Sequence, residues 1–278
     1  MYRSALPLSQ SEGLNAMTSL ISVDEMKTHL GGMYWTPGKS PLAIPYFGSA
    51  FKSAMVFKQN LAEITWNCMR TLENNPTSLP QTRTILAGQS VGGISVFDLL
   101  QVKNYGDASK LLTDKVRSNT FALDKATACA IHNLSAREDA LVWGAFRTGS
   151  VSIEGVEYLP PEASTLDSLA QTGLGWLNTA VANPKERAIA AFLFMSRSQF
   201  FYDANKRTAS LMMNGVLMSN GYLPISVLNK QSERFHSELK TFYETGNADG
   251  MFAFFADVVT ELYDDLPKDE LKPDPFAT

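Results

Sequence analysis

One short polar turn between two apolar segments holds the residues whose types and spacing can do chemistry. Residues 188–195 are apolar, residues 211–218 are largely apolar again, and the run between them reads QFFYDANKRTAS over 199–210. If the second apolar segment is a helix, the side chains from Asp203 to Arg207 lie in or just before its first turn. A first turn has free backbone N–H groups and the positive end of the helix dipole, so this position suits an anion.

The charges on this turn suit a phosphate accompanied by a divalent cation. Lys206 and Arg207 supply positive charge, and the carboxylate of Asp203 is the kind of oxygen ligand that Mg²⁺ prefers next to phosphate oxygens. The same run is also compatible with an ordinary helix start, in which Asp203 is the N-cap and the two cations are solvated. The residues by themselves leave both interpretations open.

Composition excludes several other kinds of site. The two cysteines, Cys68 and Cys129, are too few for a disulfide framework or a four-cysteine zinc site, and their helical surroundings favour buried thiols. The three histidines, His29, His132 and His236, are too scattered to predict a metal cluster. A net charge of −4 gives no broad positive field, so a nucleic-acid partner is not expected.

No targeting or membrane segment is recognisable in the sequence. The N-terminal residues lack the apolar run of a signal peptide. The longest apolar stretch, 188–195, is far shorter than the roughly 20 residues that span a bilayer. We therefore expect a cytoplasmic protein without a membrane partner, although a protein exported by a specialised apparatus would have the same features. The oligomeric state is left open.

Helical periodicity dominates the chain and predicts an all-α fold. Ala54, Phe57, Leu61, Ile64 and Cys68 recur at intervals of three or four residues, which is the mark of one buried helix face. Further helices are predicted at about 92–116, 124–134, 183–198, 203–220, 230–245 and 249–263.

One segment has a different period. Residues 151–153 and 156–158 alternate between apolar and polar side chains on either side of Glu154-Gly155, which is typical of a β-hairpin. We therefore expect one hairpin in an otherwise helical chain.

The run over 199–210 resembles the signature of the Fic/Doc (Fido) family, in which His-x-Phe is followed by an acidic residue and by Gly-Asn-Gly-Arg. It is more similar still to the Doc-type variant, which ends in Asp-Ala-Asn-Lys-Arg-Thr-Ala, since Phe201 and residues 203–209 fit that pattern. The likeness extends to residues 146–161, which resemble the flap region of the family, and in all it covers roughly 100–262. It implies a Fic-type helical bundle in which the hairpin is the flap.

The resemblance also divides the chain. A Fic-like core is expected over 123–263, preceded by a helical region over 51–122 and by an irregular segment over 1–50 with one short helix near 22–29. An acidic tail over 264–278 is expected to be frayed.

Members of this family mostly transfer AMP from ATP to a hydroxyl of a target protein, so the resemblance implies ATP with Mg²⁺ and a protein partner. Asp203 would hold the Mg²⁺, and Phe201 would anchor the loop in the core. The residues implied in nucleotide and phosphate binding are Ala204, Asn205, Lys206, Arg207 and Ser210. The flap, which would align the target as an added strand, comprises Ile153, Glu154, Gly155 and Val156. The wall of the nucleotide pocket would be formed by Phe235, His236 and Tyr243.

The sequence departs from the family at the catalytic position. Gln199 stands where the family has the histidine that deprotonates the attacking hydroxyl. A glutamine amide has no usable pKa near neutrality, and the loss of a general base typically costs about 10²–10⁴ in rate. His236 can approach in space, but by resemblance it belongs to the nucleotide wall.

The second arginine of the signature is also missing, because Ser210 occupies its position. Doc-type members lack this arginine too, and they phosphorylate their target instead. Three functions therefore remain: an impaired or altered AMP transferase, an inactive Fic-fold module that binds a nucleotide or a protein, and a Doc-like protein phosphotransferase. The intact residues 203–207 disfavour a purely structural role.

A control element of the family is absent as well. Gly88 and Gly92 stand where many members carry the Ser/Thr and the Glu of an inhibitory helix, whose Glu pairs with the second arginine. Both partners of that charge pair are missing here, which avoids leaving one buried charge without its partner. We therefore expect that this form of inhibition does not operate.

Overall fold

The computed structural model describes residues 21–267, 269 and 271–277, and over this part of the chain the fold is a helical bundle, as predicted. Eleven α-helices lie in the described part, and none of them has the length and apolar character to cross a bilayer. The helices are α1 (Val23–His29), α2 (Ala50–Gln59), α3 (Leu61–Glu73), α4 (Leu79–Leu86), α5 (Val96–Arg117), α6 (Lys125–Ser135), α7 (Leu166–Ala180), α8 (Pro184–Ser198), α9 (Asn205–Ser219), α10 (Ser232–Thr245) and α11 (Asp249–Leu262).

The consecutive helices α8 and α9 form the centre of the bundle. Nearly every residue of both helices is buried, including most of their polar residues. Asn183 caps the start of α8, because its side chain accepts a hydrogen bond from the N–H of Lys185 (3.0 Å). Pro184 fills the first helical position, where a missing N–H costs nothing. The polar turn of the sequence is thus the connection between the two most buried helices.

Side-chain caps explain where the surrounding helices begin. Ser49, Ser95 and Asp124 precede α2, α5 and α6, and each accepts a hydrogen bond from a backbone N–H in the first turn of its helix. Ser78 and Gln81 form a capping box at the start of α4.

The long helix α5 begins later than the pattern predicts. Gly88 and Gly93 have φ values of +84° and +80°, a region of backbone conformation that an α-helix does not use. The chain therefore stays irregular up to the cap at Ser95, and the predicted start near residue 92 is wrong.

The predicted β-hairpin is reduced to a single turn. The N–H of Val156 donates to the carbonyl of Ile153 (3.2 Å), and Gly155 has a φ of +70°, which suits glycine. Residues 151–158 form no ladder in the described chain. A two-stranded hairpin is marginal by itself, and these residues have no third strand to pair with. The alternating pattern therefore predicted the turn correctly but not the strands.

The segment before α2 is irregular, as predicted, but it is fixed to the core. In the described part of this segment one helix, α1, lies where it was expected. The first part of the predicted segment, residues 1–20, lies outside the described residues. The N–H of Tyr34 donates to the carbonyl of Gly246 (2.9 Å), and the side chain of Trp35 is only 1% exposed. The described part of the segment therefore belongs to the same core as the bundle.

The C-terminal tail is anchored, in contrast to the expected frayed end. The carboxylate of Asp274 accepts hydrogen bonds from the ammonium group of Lys185 (2.5 Å) and from the hydroxyl of Tyr222 (2.6 Å). Lys185 is buried, and its only acidic partner in the described chain is Asp274. Burial together with the neighbouring carboxylate raises the pKa of Tyr222, so the phenol stays a hydrogen-bond donor.

We predict that Asp274→Ala destabilises the fold by about 3 kcal/mol, because it leaves a buried ammonium without its counter-charge. Urea unfolding followed by circular dichroism measures the change in the free energy of unfolding. Asp264→Asn, which alters an exposed acid of the same tail, is the matched control and should change stability by less than about 0.5 kcal/mol. Equal stabilities of the two variants would show that the tail contributes nothing.

Candidate functional site

The loop between α8 and α9 is built on two residues with left-handed backbone. Gln199 ends α8 with a φ of +47°, and Ala204 precedes α9 with a φ of +55°. Residues other than glycine adopt this conformation at a cost, so the surrounding contacts must hold them there. These contacts come from inside the loop and from two side chains that lie far away in the sequence.

Inside the loop, Asn205 acts as a clamp. Its Oδ1 accepts a hydrogen bond from the N–H of Phe201 (2.9 Å), and its Nδ2 donates to the carbonyl of the same residue (2.8 Å). The Nδ2 also donates to Oε1 of Gln199 (3.0 Å). The amide of Asn205 therefore holds the shape of the loop.

The side chain at the family's base position has a structural role. Nε2 of Gln199 donates to the carbonyl of Ser196 (2.6 Å) in the last turn of α8, while its Oε1 accepts from Asn205. Both ends of the amide are therefore occupied by contacts within the protein.

The first distant side chain is Arg147, which precedes the flap segment. Its Nε donates to the carbonyl of Gln199 (2.6 Å), and its two terminal nitrogens donate to the carbonyls of Gly149 (2.8 Å) and Pro161 (2.5 Å). One buried guanidinium thus fixes both ends of the flap segment against the end of α8. The flap residues between those ends, Ile153, Glu154, Gly155 and Val156, are exposed or half-buried.

The second distant side chain is His132 on α6. Its ring stacks on Phe201 with a centroid distance of 3.8 Å. Its Nδ1 accepts from the N–H of Gly144 (3.0 Å), so the proton is on Nε2, which donates to the carbonyl of Asp203 (3.2 Å). Burial, together with the charge of Arg207, lowers the pKa of His132 to about 4, and the ring is neutral.

Asp203 is the exposed acid of the loop. Its side chain is 56% exposed, and its Oδ1 accepts from the N–H of Ala204 (2.5 Å). No group of three or more acidic, histidine or cysteine side chains in the described chain could hold a metal ion. One exposed carboxylate nevertheless fits Mg²⁺, which keeps several waters and completes its ligands with phosphate oxygens.

Arg207 lies where the sequence did not lead us to expect it. Its side chain is fully buried and forms ion pairs with Asp139 (2.6 Å from Nη1) and Glu73 (3.0 Å from Nε). Nη1 also donates to the carbonyl of Ser135 (2.9 Å). Burial alone would lower the pKa of Arg207, but the carboxylates of Glu73 and Asp139 raise it. The guanidinium that was expected to contact outer phosphates is thus bound by protein carboxylates.

Lys206 is the half-buried cation of the loop. Burial raises the pKa of Glu73, and the charge of Lys206 opposes that shift. Burial lowers the pKa of His236, and the charge of Lys206 adds to that shift. The Nε2 of His236 lies 2.8 Å from the carbonyl of Thr71, near the end of α3. One region beside the loop is therefore surrounded by Lys206, Glu73 and His236.

The other predicted nucleotide-binding residues lie in the core. Phe235 is fully buried against Phe192 and Phe254, and Tyr243 is 4% exposed. Ser210 is also buried, next to Cys68, whose pKa burial raises to about 12. Of the three residues predicted to form the pocket wall, only His236 is partly exposed.

The structure also brings residues to the loop that the sequence did not predict, namely Glu73, His132, Asp139 and Arg147. None has a local signal, because each lies more than fifty residues from the loop residue that it contacts. The resemblance covers the segments that carry His132, Asp139 and Arg147, but it gave these residues no role, and Glu73 lies outside it.

The fold and this loop define a class of helical domain that is shared with solved structures. Fic-1 of C. elegans (residues 134–508) matches with a TM-score of 0.67 at 19% identity, over 91% of this chain and 72% of that one. A Fic domain containing signaling protein from Bacteroides thetaiotaomicron matches with a TM-score of 0.61 at 19% identity, over 77% of this chain and 89% of that one. At such identities the likeness shows the fold alone.

The sequence is similar to the same family. Residues 122–217 match the model of the Fic/DOC family. The protein adenylyltransferase Fic of Drosophila mojavensis is 27% identical over 197 residues, and that of Aedes aegypti is 28% identical over 198. Each alignment covers 69% of this chain but only 39% of the relative, so the chain spans well under half the length of these proteins.

We predict that His132→Phe, which keeps the stack on Phe201, lowers stability at neutral pH by about 1–3 kcal/mol through its two lost hydrogen bonds. The unfolded chain binds a proton at this residue more readily than the folded one. Wild-type stability therefore falls as the pH drops from about 6.5 to about 4, and the variant lacks this loss.

Urea unfolding at pH 7 and pH 5 measures both effects. His29→Phe is the matched control, since His29 also stacks on an aromatic ring, that of Trp176. The control should keep the pH dependence of the wild type. If His132→Phe also keeps the pH dependence of the wild type, the claim that a neutral His132 holds the loop is wrong.

Proposed function

We propose that the loop between α8 and α9 binds ATP with Mg²⁺, and that transfer of AMP to a hydroxyl of a target protein is strongly weakened by Gln199. The observation that carries the proposal is the double engagement of the Gln199 amide, with Ser196 and with Asn205. This side chain can neither take up a proton near neutral pH nor turn toward a substrate without breaking both contacts.

The nucleotide would bind at the start of α9. The first N–H groups of the helix and the positive end of its dipole suit the α-phosphate, and the half-buried Lys206 supplies charge beside it. Asp203 would hold Mg²⁺, which would neutralise phosphate charge and orient the phosphate oxygens. His132 keeps the carbonyl of Asp203 in place, so the carboxylate leaves the loop in a fixed direction.

The transfer step has a clear requirement that this loop does not meet. The target hydroxyl attacks the α-phosphorus, the bond from that phosphorus to the bridging oxygen of the β-phosphate breaks, and pyrophosphate leaves. The proton of the hydroxyl needs an acceptor in the transition state, and in this loop it passes to water or to a phosphate oxygen. Positioning and electrostatic stabilisation still act, so a residual rate is expected.

The target protein would dock along the flap segment, where Ile153 to Val156 are exposed or half-buried. Arg147 would hold this segment against the site. Use of ATP agrees with the cytoplasmic location that the sequence favours.

Two further candidates each have one supporting observation. A module that binds a nucleotide or a partner without turnover is favoured by the structural role of Gln199. A Doc-like phosphotransferase, which would pass on the γ-phosphate, is favoured by Ser210 in place of the second arginine and by its burial in the core.

We predict that Gln199→His raises transfer of label from α-labelled ATP to protein by about 10²–10⁴, since it restores a general base. The assay uses purified protein, Mg²⁺ and a lysate as acceptor, and Gln199→Asn is the control that shortens the amide without adding a base. Thermal melts confirm that each variant is folded.

The outcomes separate the candidates. If the wild type transfers the α-label as fast as Gln199→His, the proposal that Gln199 weakens AMP transfer is wrong. Transfer from γ-labelled ATP only would favour the phosphotransferase. Calorimetry that detects no nucleotide with either the wild type or Gln199→His would overturn nucleotide binding as a whole.

A further inference from the structure

A cavity of about 530 Å³ lies against the first half of α3. Its other walls come from α2, from the segment 223–228 that follows α9, and from the end of α11 together with the first residues of the tail. None of the loop residues 199–210 lines it. Pockets of this volume bury most of the surface of a small organic ligand. The cavity is therefore separate from the proposed nucleotide site, and it has room for a ligand of its own.

The walls of the cavity are mostly apolar. Ile64 on α3 and Leu223 are buried, and Leu262 at the end of α11 packs against the main core. The hydroxyl of Tyr263 donates to the carbonyl of Pro224, which joins the end of α11 to the segment after α9. Burial raises the pKa of Tyr263, so the phenol keeps the proton that it donates. One wall of the cavity is thus held together by a hydrogen bond between two distant parts of the chain.

Two buried polar side chains in the lining have unused hydrogen-bonding groups. Asn67 and Ser226 are each 7% exposed. Oδ1 of Asn67 accepts from the N–H of Asn229 (2.9 Å), whereas its Nδ2 has no acceptor in the described chain. The hydroxyl of Ser226 has no partner there either, and neither atom is completely enclosed by protein. Because a donor in a buried setting is unfavourable without an acceptor, both groups suit the acceptor of a ligand.

Ser226 also borders a second, much smaller void. That void measures about 20 Å³, which gives room for a single water. Asn67 does not line it. The amide of Asn67 is therefore the more direct of the two donors to the large cavity.

The rim of the cavity is acidic. Glu63, Glu261 and Asp265 line it, and no lysine or arginine of the described chain does. Glu63 is paired with Arg83 and Glu261 with Lys230, and both of these cations lie outside the lining. Asp265 is exposed and has no ion pair within the described residues. A charged group of a ligand at this rim is therefore favoured when it is positive.

We propose that this cavity binds a small organic cation that has an apolar body and a carbonyl oxygen. The carbonyl oxygen accepts hydrogen bonds from Nδ2 of Asn67 and from the hydroxyl of Ser226. The apolar body fills the space between α3 and the end of α11, and the cationic group lies at the rim beside Asp265. Apolar walls with a few convergent polar groups are the usual make-up of small-molecule sites. The inference does not rest on the proposed function, because the two sites share no residue.

Three probes with one shape and three charges test the proposal on the full chain. They are N-(4-aminobutyl)-4-fluorobenzamide, N-butyl-4-fluorobenzamide and 4-(4-fluorobenzamido)butanoic acid, which are cationic, neutral and anionic at neutral pH. Fluorine NMR titration measures each affinity. For the neutral probe we expect a dissociation constant on the order of 1 mM, as befits its size. The cationic probe should bind about fivefold more tightly and the anionic probe about fivefold more weakly.

The charge preference is tested by Asp265→Asn. This variant should reduce the advantage of the cationic over the neutral probe from about fivefold to less than about twofold, and it should leave the neutral probe unchanged. Asp264→Asn is the matched control, since Asp264 is exposed on the same tail and does not line the cavity. The control should keep the full advantage of the cationic probe.

The hydrogen-bond donors are tested by Ser226→Ala and Asn67→Asp. Ser226→Ala removes no contact within the described chain and should weaken all three probes by about threefold to tenfold. Asn67→Asp keeps the acceptor for Asn229 and replaces the donor, so it should weaken the neutral probe by about tenfold. Ser53→Ala is the control, because the hydroxyl of Ser53 is also buried without a partner but lies outside the cavity.

The outcomes decide the proposal independently of nucleotide binding. If the wild type binds none of the three probes, or binds them with equal affinity, the proposal is wrong. It is also wrong if Ser226→Ala and a folded Asn67→Asp bind the probes as the wild type does, because the probes then bind elsewhere. Thermal melts show whether Asn67→Asp is folded, and Ser226→Ala with Asp265→Asn decides the matter if it is not.

Discussion

The buried guanidinium of Arg207 is the interaction on which the rest of the site depends. A fully buried cation is stable only with close counter-charges, and the chain supplies them from separate places: Glu73 at the end of α3 and Asp139 just after α6. The carbonyl of Ser135, the last residue of α6, accepts a third contact. One side chain thus links the start of α9, directly after the loop, to the end of α3 and to the end of α6.

Once α9 is fixed, backbone carbonyls become the points by which the loop is held. His132 holds the carbonyl of Asp203, and Arg147 holds the carbonyl of Gln199. Asn205 closes the loop from inside. All of these contacts are made by residues of the protein, and a loop held in this way has little conformational entropy left to lose on binding. The same contacts explain how Gln199 and Ala204 remain in a left-handed conformation that non-glycine residues avoid.

Local patterns in the sequence were sufficient for the helical bundle and for the place of the loop, because helix periodicity and the polar run 199–210 are short-range features. The prediction of two paired strands over 151–158 was not confirmed, since strand pairing needs a partner that no local pattern supplies. The burial of Arg207 was not predicted for a related reason: a motif gives residue types and spacing, while burial depends on groups such as Glu73, which is 134 positions away. The prediction of a frayed tail was wrong for the same reason. Its acidic residues suggested exposure to solvent, and nothing in the local sequence showed that Asp274 pairs with the buried Lys185.

The state of Gln199 and that of Arg207 lead to the same conclusion about the chemistry of the loop. An amide can bridge Ser196 and Asn205 because it is donor and acceptor at once, and a neutral imidazole that made both contacts would have no nitrogen left for a proton. The side chain at position 199 therefore holds the loop in shape. The guanidinium of Arg207 is likewise bound within the core, by Glu73 and Asp139. The charged groups of the loop that still reach solvent are the exposed Asp203 and the half-buried Lys206. Under the proposed function they would help to hold a phosphate, and none of the loop's side chains would act as the general base for its transfer.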